Sequence, residues 1–213
     1  MVKQYRGCSK LYAATITEGE DGAIVYGKPF NIAPVKSISK TEEDASEEVW
    51  ADNELQYETD GGKSMARSFE VTNLLPAVEA QLMGMDEVAI GGTGLKGYAT
   101  PAVAQRPYFA IGYALHDGDP DNPVEYVWAF KGRVASISKA SNTISKGDTS
   151  STGRTIEINF ATPKTAFTTT KRKNLDFTIS TVGDVDTTGI DLTKFFDQVV
   201  TPDNAATALA ATE

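Results

Sequence analysis

The sequence predicts a mainly β protein of the α+β class with one flanking helix. One observation is a pair of alternating segments within 108–139, which is typical of two strands joined by a polar turn. Another is a series of shorter alternating segments on both sides of that pair, separated by Gly, Pro, Asn and Asp. Finally, the stretch 73–83 is the best helix candidate, because it combines helical spacing with residues that begin and end helices.

The central pair of strands has one bulky and one small face on each arm. The first arm, YFAIGYAL, alternates large apolar residues with Ala and Gly, and the second alternates Tyr126, Trp128 and Phe130 with smaller residues. Successive side chains on a strand point to opposite faces. We therefore expect the bulky faces to lie on a core and the small faces to admit a close neighbour, such as another sheet, a helix or another subunit.

Further strands are predicted before the central pair, at 11–17, 23–26, 30–32, 35–39, 68–71 and 87–90. After the pair, strands are predicted at 155–161, 166–170 and 175–181. The segment 192–200 fits either a short helix or a strand. We expect one domain over residues 1–200, followed by a flexible C-terminal arm over 201–213, because this tail is small and polar.

The predicted helix over 73–83 has suitable ends. Asn73 is placed to cap its exposed amides, Pro76 lies in the first turn where a missing N–H costs nothing, and Gly84 is placed to end it. Apolar residues recur on one side at helical spacing, which predicts a stripe that lies on the sheet. The stripe consists of Leu75, Val78, Leu82 and Met85.

A strongly acidic segment, 40–57, interrupts the predicted strands. Charge runs usually form solvated loops, and long loops in compact domains are often functional. Because these acids lie between strand-like segments and are followed by apolar residues, we expect a long projecting hairpin loop that docks on a neighbouring molecule. The candidate contact residues are Glu42, Glu43, Asp44, Glu47, Glu48, Trp50, Leu55 and Tyr57, together with Lys10 near the N-terminus and Thr201 at the start of the tail.

Composition excludes several classes of protein. The chain has 213 residues, of which 40% are hydrophobic and 23% charged, enough to bury a substantial core. No apolar run has the length of a membrane span, and the N-terminus lacks a signal-like stretch, so we expect the chain to stay where it is made. The single cysteine, Cys8, excludes a disulfide framework or a thiolate metal site within one chain and fits a reducing compartment.

The net charge of −9 is unevenly distributed. Segment 131–173 has nine Lys/Arg and two Asp/Glu, whereas the rest of the chain has eleven and twenty-seven. This pattern is compatible with simple solubility, or with two surfaces of opposite sign that meet on different copies of the protein. A nucleic-acid footprint is less favoured, because Phe160 and Phe167 are the only aromatic residues in the basic segment and the whole chain is acidic.

Three motifs point weakly to ligand chemistry. Residues 92–97 match the glycine pattern of dinucleotide-binding loops, but YATP follows where a helix is needed, so a flexible loop is expected. The turn 117–122 has alternate acids like a calcium loop, but Asn122 and Trp128 stand where Gly and a bidentate acid are required. His116 is the only histidine and no nucleophile motif accompanies it. We expect no cofactor, no metal site and no catalytic residue.

The order of these segments resembles the major tail protein, or tail tube, family of long non-contractile-tailed bacteriophages. The resemblance spans about residues 5 to 181 and is carried by KLYAATIT, YGKPFNIAPVKSIS, VWADNELQYET, NLLPAVEAQLMG, YFAIGYAL, EYVWAFKGRV and TIEINFATP. It implies a β-sandwich or barrel-like tail tube domain whose copies form six-membered rings. These rings stack around the tape-measure protein and later the passing double-stranded DNA. It also implies bridging by the loop after Ser39 and by both termini, tail terminator and distal tail proteins as partners, and a place in the virion after synthesis in the host cytoplasm.

Two alternatives are also compatible with the sequence. A tube protein of a contractile tail or a secretion system shares the architecture and docks on a sheath. A carbohydrate- or surface-binding β-sandwich would use Trp50 and Tyr57 as a platform for sugars and would be a stable monomer.

Overall fold

The computed structural model describes residues 6–20, 23–51, 54–103, 105–139, 153–183 and 185–211, and gives no side-chain description for residues 43–63, 93 and 139. Strands dominate these ranges, which confirms the mainly β class with one flanking helix. The elements in chain order are β1 Gly7–Glu18, β2 Ile24–Tyr26, β3 Phe30–Asn31, β4 Val35–Ala51, β5 Glu54–Val71, α1 Pro76–Met83, β6 Asp86–Ile90, β7 Leu95–Ala99, β8 Phe109–His116, β9 Glu125–Lys139, β10 Arg154–Phe160, β11 Asp176–Ser180 and α2 Ala205–Ala208, with short 3-10 helices at Gly91–Thr93 and Leu192–Phe196.

Among the described residues, nine strands form one antiparallel sheet in the order β2-β1-β8-β9-β10-β5-β4, with β3 beside β1 and β11 beside β9. Gly132 of β9 pairs with Phe109 of β8 and with Phe160 of β10, so β8 and β10 lie on opposite edges of β9. The strand β11 continues along the edge that β10 occupies. Strands β1 and β4 also contact each other, so the sheet curls around an interior.

The curled sheet has a core on each of its faces. The inner core joins the sheet to α1 and includes Leu11, Phe69, Leu82, Phe109, Ile111, Tyr113, Val127, Ile156 and Ile158. The outer core joins β8 and β9 to the C-terminal segment and includes Ala110, Ala114, Tyr126, Trp128, Phe130, Phe195, Val200 and Leu209.

The register of the central pair explains why both faces are buried. Ala129 lies opposite Ile111, and Gly112 lies opposite Trp128. Register partners share a face of the sheet, so small residues of one strand lie opposite large residues of the other. The central hairpin is therefore confirmed. Its small positions admit large side chains of the partner strand, and the C-terminal segment covers the outer face.

The helix α1 begins three residues later than predicted. Pro76 is its first residue and Gly84 ends it in the left-handed region at φ 66°, as predicted. The prediction that Asn73 caps the helix is wrong, because Leu75 precedes the first turn and Asn73 itself adopts φ 51° in the approaching turn. The expected stripe is also partly wrong, since Leu75 is 56% exposed while Leu82 is buried.

The C-terminal segment is packed where a flexible arm was expected. Thr201, Ala208 and Leu209 are buried, and the Asp191 amide donates to the Leu209 carbonyl at 2.7 Å. Residues 201–211 therefore belong to the domain, because their apolar side chains complete the outer core. The predicted strand at 166–170 is a turn, and the predicted loop at 92–97 contains the start of β7.

Candidate functional site

The main candidate surface is the hairpin formed by β4 and β5. Strand β10 accompanies β5 only between Val71 and Met65. Beyond the pair Glu42–Met65, the two strands pair only with each other among the described residues. The nine residues of β4 beyond Glu42 span about 30 Å, because a strand rises about 3.3 Å per residue. A projecting hairpin is thus present as a continuous strand pair, where the sequence indicated a loop.

This pairing includes the residues predicted to make contacts. Glu42 is exposed and its carboxylate lies 2.5 Å from the Lys40 ammonium. The remaining predicted contact residues of the hairpin lie in the pairs Glu43–Ser64, Asp44–Lys63, Glu47–Thr59, Glu48–Glu58, Val49–Tyr57 and Trp50–Leu55. Their side chains lie outside the described part of the structure. Docking on a neighbour remains a prediction.

A buried charge network ties the base of this hairpin to the sheet. Arg67 of β5 is 2% exposed, and its guanidinium donates to the Asp176 carboxylate at 2.5 Å and to the Tyr113 hydroxyl. The Lys40 ammonium lies 3.3 Å from the same Asp176 oxygen. The guanidinium also faces the Tyr113 aromatic ring at 4.9 Å, and burial raises the pKa of the Tyr113 hydroxyl. The base of the hairpin is therefore fixed by β8 and β11, next to a cavity of about 220 Å³.

The two other predicted contact positions lie elsewhere. Lys10 occupies the bulge of β1 at φ 58° and lines an opening of about 500 Å³ with Lys28 and Asp197. Thr201 is 6% exposed, and its amide donates to Asn204 at 2.7 Å. Its burial within its own chain contradicts its assignment to the contact surface of a free arm. No hydrogen bond between described residues joins Lys10 or Thr201 to the hairpin.

A second surface, which the sequence did not reveal, is the separate pair formed by β6 and β7. Register partners share a face, so Val88, Ile90 and Leu95 lie together, and they are 52%, 49% and 59% exposed. The opposite face is polar, with Glu87 and Lys96 joined at 2.7 Å. Exposed apolar patches of this kind mark contact sites, and an isolated two-stranded pair is only marginally stable. The glycine-rich sequence of β7 hid this alternation.

Part of the basic segment serves the fold itself. The Lys131 ammonium is buried 2.7 Å from Glu18, and its hydrogen bond lowers the pKa of that carboxyl. Arg154 pairs with Glu79 at 2.6 Å. These two pairs neutralise two of the cations that the sequence left available for a basic surface. The three consecutive cations 171–173 remain exposed.

The weak ligand motifs form ordinary structural turns. Residues 92–97 lie in the β6–β7 connection and in β7, with no helix after them. In the 117–122 turn, the side-chain amide of Asn122 donates to Asp119 at 2.7 Å and lowers the pKa of its carboxyl. Within the described ranges, no group of three or more His, Cys, Asp or Glu is arranged to hold a metal.

The single histidine and the single cysteine, His116 and Cys8, both lie in partly buried surroundings. The imidazole of His116 lies against Gly7 of β1, where a β-carbon would come within 2.3 Å of it. Burial raises the pKa of the Cys8 thiol, which makes it a weaker nucleophile. None of the described helices has the length and apolar composition to span a membrane.

Comparison with known proteins gives matches among solved structures only. No family model matches the chain, and no curated protein does. The tube terminating cap of the anti-feeding prophage aligns with a TM-score of 0.42 at 9% identity, over 84% of this chain and 95% of that one. The SPP1 tail tube aligns with 0.38 at 7% identity, over 85% and 87%. A chain of the gene transfer agent virion aligns with 0.34 at 12% identity, over 70% and 90%. Matches this distant do not establish a family.

Proposed function

We propose that this chain is a structural subunit that self-assembles into the tube of a bacteriophage tail, as stacked six-membered rings through which DNA passes during ejection. The observation that carries the proposal is the β4–β5 hairpin, which extends past its own sheet with a rigidly held base. A strand pair about 30 Å long has little reason to project from a compact domain unless another molecule receives it. The sequence resemblance to tail tube proteins supports another copy of this chain as that molecule.

The described surfaces are suited to head-to-tail contacts. Among the described residues β4 pairs only with β5, so its other edge offers unpaired backbone groups along Val35–Ala51. The β6–β7 pair offers a different, apolar face. Contacts between unlike surfaces generate rings when the rotation closes and filaments when it does not. Ring formation and stacking would cover both surfaces and offset the cost of leaving them exposed.

The acidic charge of the chain supports a role as a conduit. Binding to phosphate requires Lys and Arg, and the net charge of −9 repels DNA from the chain as a whole. Passage of double-stranded DNA would therefore be non-specific and without strong adhesion. In this proposal the chain catalyses no reaction, its remaining partners are the tape-measure, tail terminator and distal tail proteins, and it resides in the virion.

The experiment that tests the proposal removes the projecting part of the hairpin. Replacing Glu43–Ser64 with Asn-Gly joins the paired residues Glu42 and Met65 by a two-residue turn. Removing only one arm would leave the other without its partner, so both arms are shortened together. The variant should keep its circular dichroism spectrum and cooperative unfolding but form no tubes in electron microscopy.

A matched control replaces an exposed acid outside the hairpin, Asp121→Asn, and should form tubes like the native chain. Tubes of normal length from the shortened variant would contradict the proposal. Co-purification of the native tubes with a sheath protein would instead favour the contractile alternative. A stable monomer whose tryptophan fluorescence responds to glycans would favour the carbohydrate-binding one.

A further inference from the structure

The turn Thr168–Lys173, here called the basic turn, is a rigid projection on the outer face of the sheet. The Asp203 carboxylate accepts hydrogen bonds from the amides of Thr168 and Thr169 at 2.9 and 2.7 Å. At its base, the Phe167 aromatic ring packs 5.0 Å from that of Phe130 in the outer core. The basic turn is therefore held in place from two sides, although its own residues are exposed.

The basic turn displays three cations that the fold does not use. Lys171, Arg172 and Lys173 are all exposed, and none forms an ion pair with any residue in the described ranges. Elsewhere in the basic segment Lys131, Lys164 and Arg154 all have carboxylate partners. Three adjacent like charges repel one another, so their placement on a rigid turn favours an anionic partner.

The projecting part of the hairpin, 43–64, carries the opposite charge. Its sequence has eight Asp/Glu and one Lys, a net charge of −7. A segment of this net charge attracts a cationic surface. The chain thus carries an acidic projection and a basic turn of complementary sign.

We propose that the basic turn of one copy binds the acidic hairpin of a second copy of this chain, a contact that rests on the self-assembly proposed above. Charge complementarity selects this occupant, because the hairpin carries most of the net negative charge of the chain and extends beyond its own sheet. The basic turn and the hairpin are separate surfaces, so each copy can use them toward different neighbours, and head-to-tail contacts of this kind extend an assembly. Exposed ion pairs are screened by salt, so assembly weakens as ionic strength rises.

Charge reversal and its rescue test this contact. The reversed-turn variant carries K171E, R172E and K173E. Its expected effect is a rise of about tenfold or more in the protein concentration needed for assembly at low salt, since each exposed pair contributes a factor of about two to three. The rescue variant adds E43K, D44K and E47K and thereby restores the native net charge of −9. It should assemble within about threefold of the native concentration.

A covalent test does not depend on matching charges. In a Cys8→Ser background, R172C and E47C should form a disulfide between copies, visible as a ladder of oligomers on a non-reducing gel. A control pair, D121C and E47C, should form no ladder. Circular dichroism of each variant verifies that it is folded.

The outcomes separate this contact from the self-assembly on which it rests. Unchanged assembly of the reversed-turn variant, failure of the rescue variant, or a missing ladder while native chains assemble would overturn the contact alone. Failure of the native chain to assemble would overturn both. If the native chain instead binds a short DNA duplex, and the reversed-turn variant loses that binding but assembles normally, the basic turn is a nucleic-acid surface and the proposal is wrong.

Discussion

Replacing Gly112 with alanine should destabilise the domain, because this glycine lies beneath the indole of Trp128. A β-carbon at position 112 would lie 2.8 Å from Cη2 of the indole and 2.9 Å from two further ring atoms. Ordinary carbon–carbon contacts begin near 3.4 Å, so the indole would have to move by about 0.6 Å.

The indole has little freedom to make this movement. Trp128 is fully buried, and its Nε1 donates to the Phe195 carbonyl at 3.1 Å. The aromatic rings of Phe195 and Phe196 lie 6.3 and 5.9 Å from it. Overpacking of such a site costs about 1 to 3 kcal/mol, partly offset by the gain of about 0.5 to 1 kcal/mol from replacing a strand glycine. We expect a net loss of about 1 to 2 kcal/mol in the free energy of unfolding.

Urea unfolding followed by circular dichroism measures this loss. In a domain of this length it corresponds to a fall of about 2 to 8 °C in Tm. The control is Gly97→Ala in β7, where the β-carbon meets Ile90 at an ordinary 3.4 Å, and its free energy of unfolding should be unchanged or slightly raised. A Gly112→Ala variant within about 0.5 kcal/mol of the native chain would refute the close packing of β8 against the indole.

Two further predictions concern the C-terminal segment. Leu209→Ala should lower the free energy of unfolding by about 2 to 4 kcal/mol, because Leu209 is 2% exposed. The control Val185→Ala, at a half-exposed position, should change the free energy of unfolding by less than about 0.5 kcal/mol. Equal effects of the two substitutions in urea unfolding would show that the tail is not part of the core. The amides of Thr169 and Thr168 donate to the Asp203 carboxylate and lower its pKa. The ionised carboxylate therefore stabilises the folded chain above the ordinary aspartate pKa, and this contribution is lost as the pH falls through the lowered pKa of the folded state. As the pH falls over that acid range, the free energy of unfolding of Asp203→Asn should therefore decrease less than that of the native chain. Parallel plots of the free energy of unfolding against pH for the two proteins would contradict this.

The sequence was sufficient to predict the central hairpin and the class of the fold. Tyr126, Trp128 and Phe130 alternate without interruption, and Gly and Pro mark the ends of most strands. Period-two alternation indicates which residues share a face, but not what covers that face. The outer core therefore had to be seen in the structure, because Phe195 and Leu209 reach it from a segment with no periodic pattern.

The failures of sequence reasoning have local physical causes. The threonines of 166–170 favour a strand, but Lys171 adopts φ 56° and Asp203 binds the preceding amides, which together make a turn. The acids of 43–48 indicated a loop, but pairing with β5 satisfies the backbone groups on one edge of this segment and makes it a strand.

The network at the base of the hairpin could not be predicted either. Arg67 and Asp176 are far apart in sequence and meet only because β11 follows β10 along one edge of β9. No short-range pattern marks such a pair. The candidate contact residues between Glu42 and Tyr57 were correctly assigned to one hairpin from the sequence. The burial of Thr201 within its own chain could not be predicted.

Light scattering of the intact chain over a series of concentrations tests the central claim most directly, namely that this protein completes the burial of its surfaces against identical copies. A monomer has a mass of 22.8 kDa. We predict that the measured mass rises with concentration to that of closed rings and then of longer tubes. A mass of one chain at every concentration, up to the solubility limit, would contradict the account.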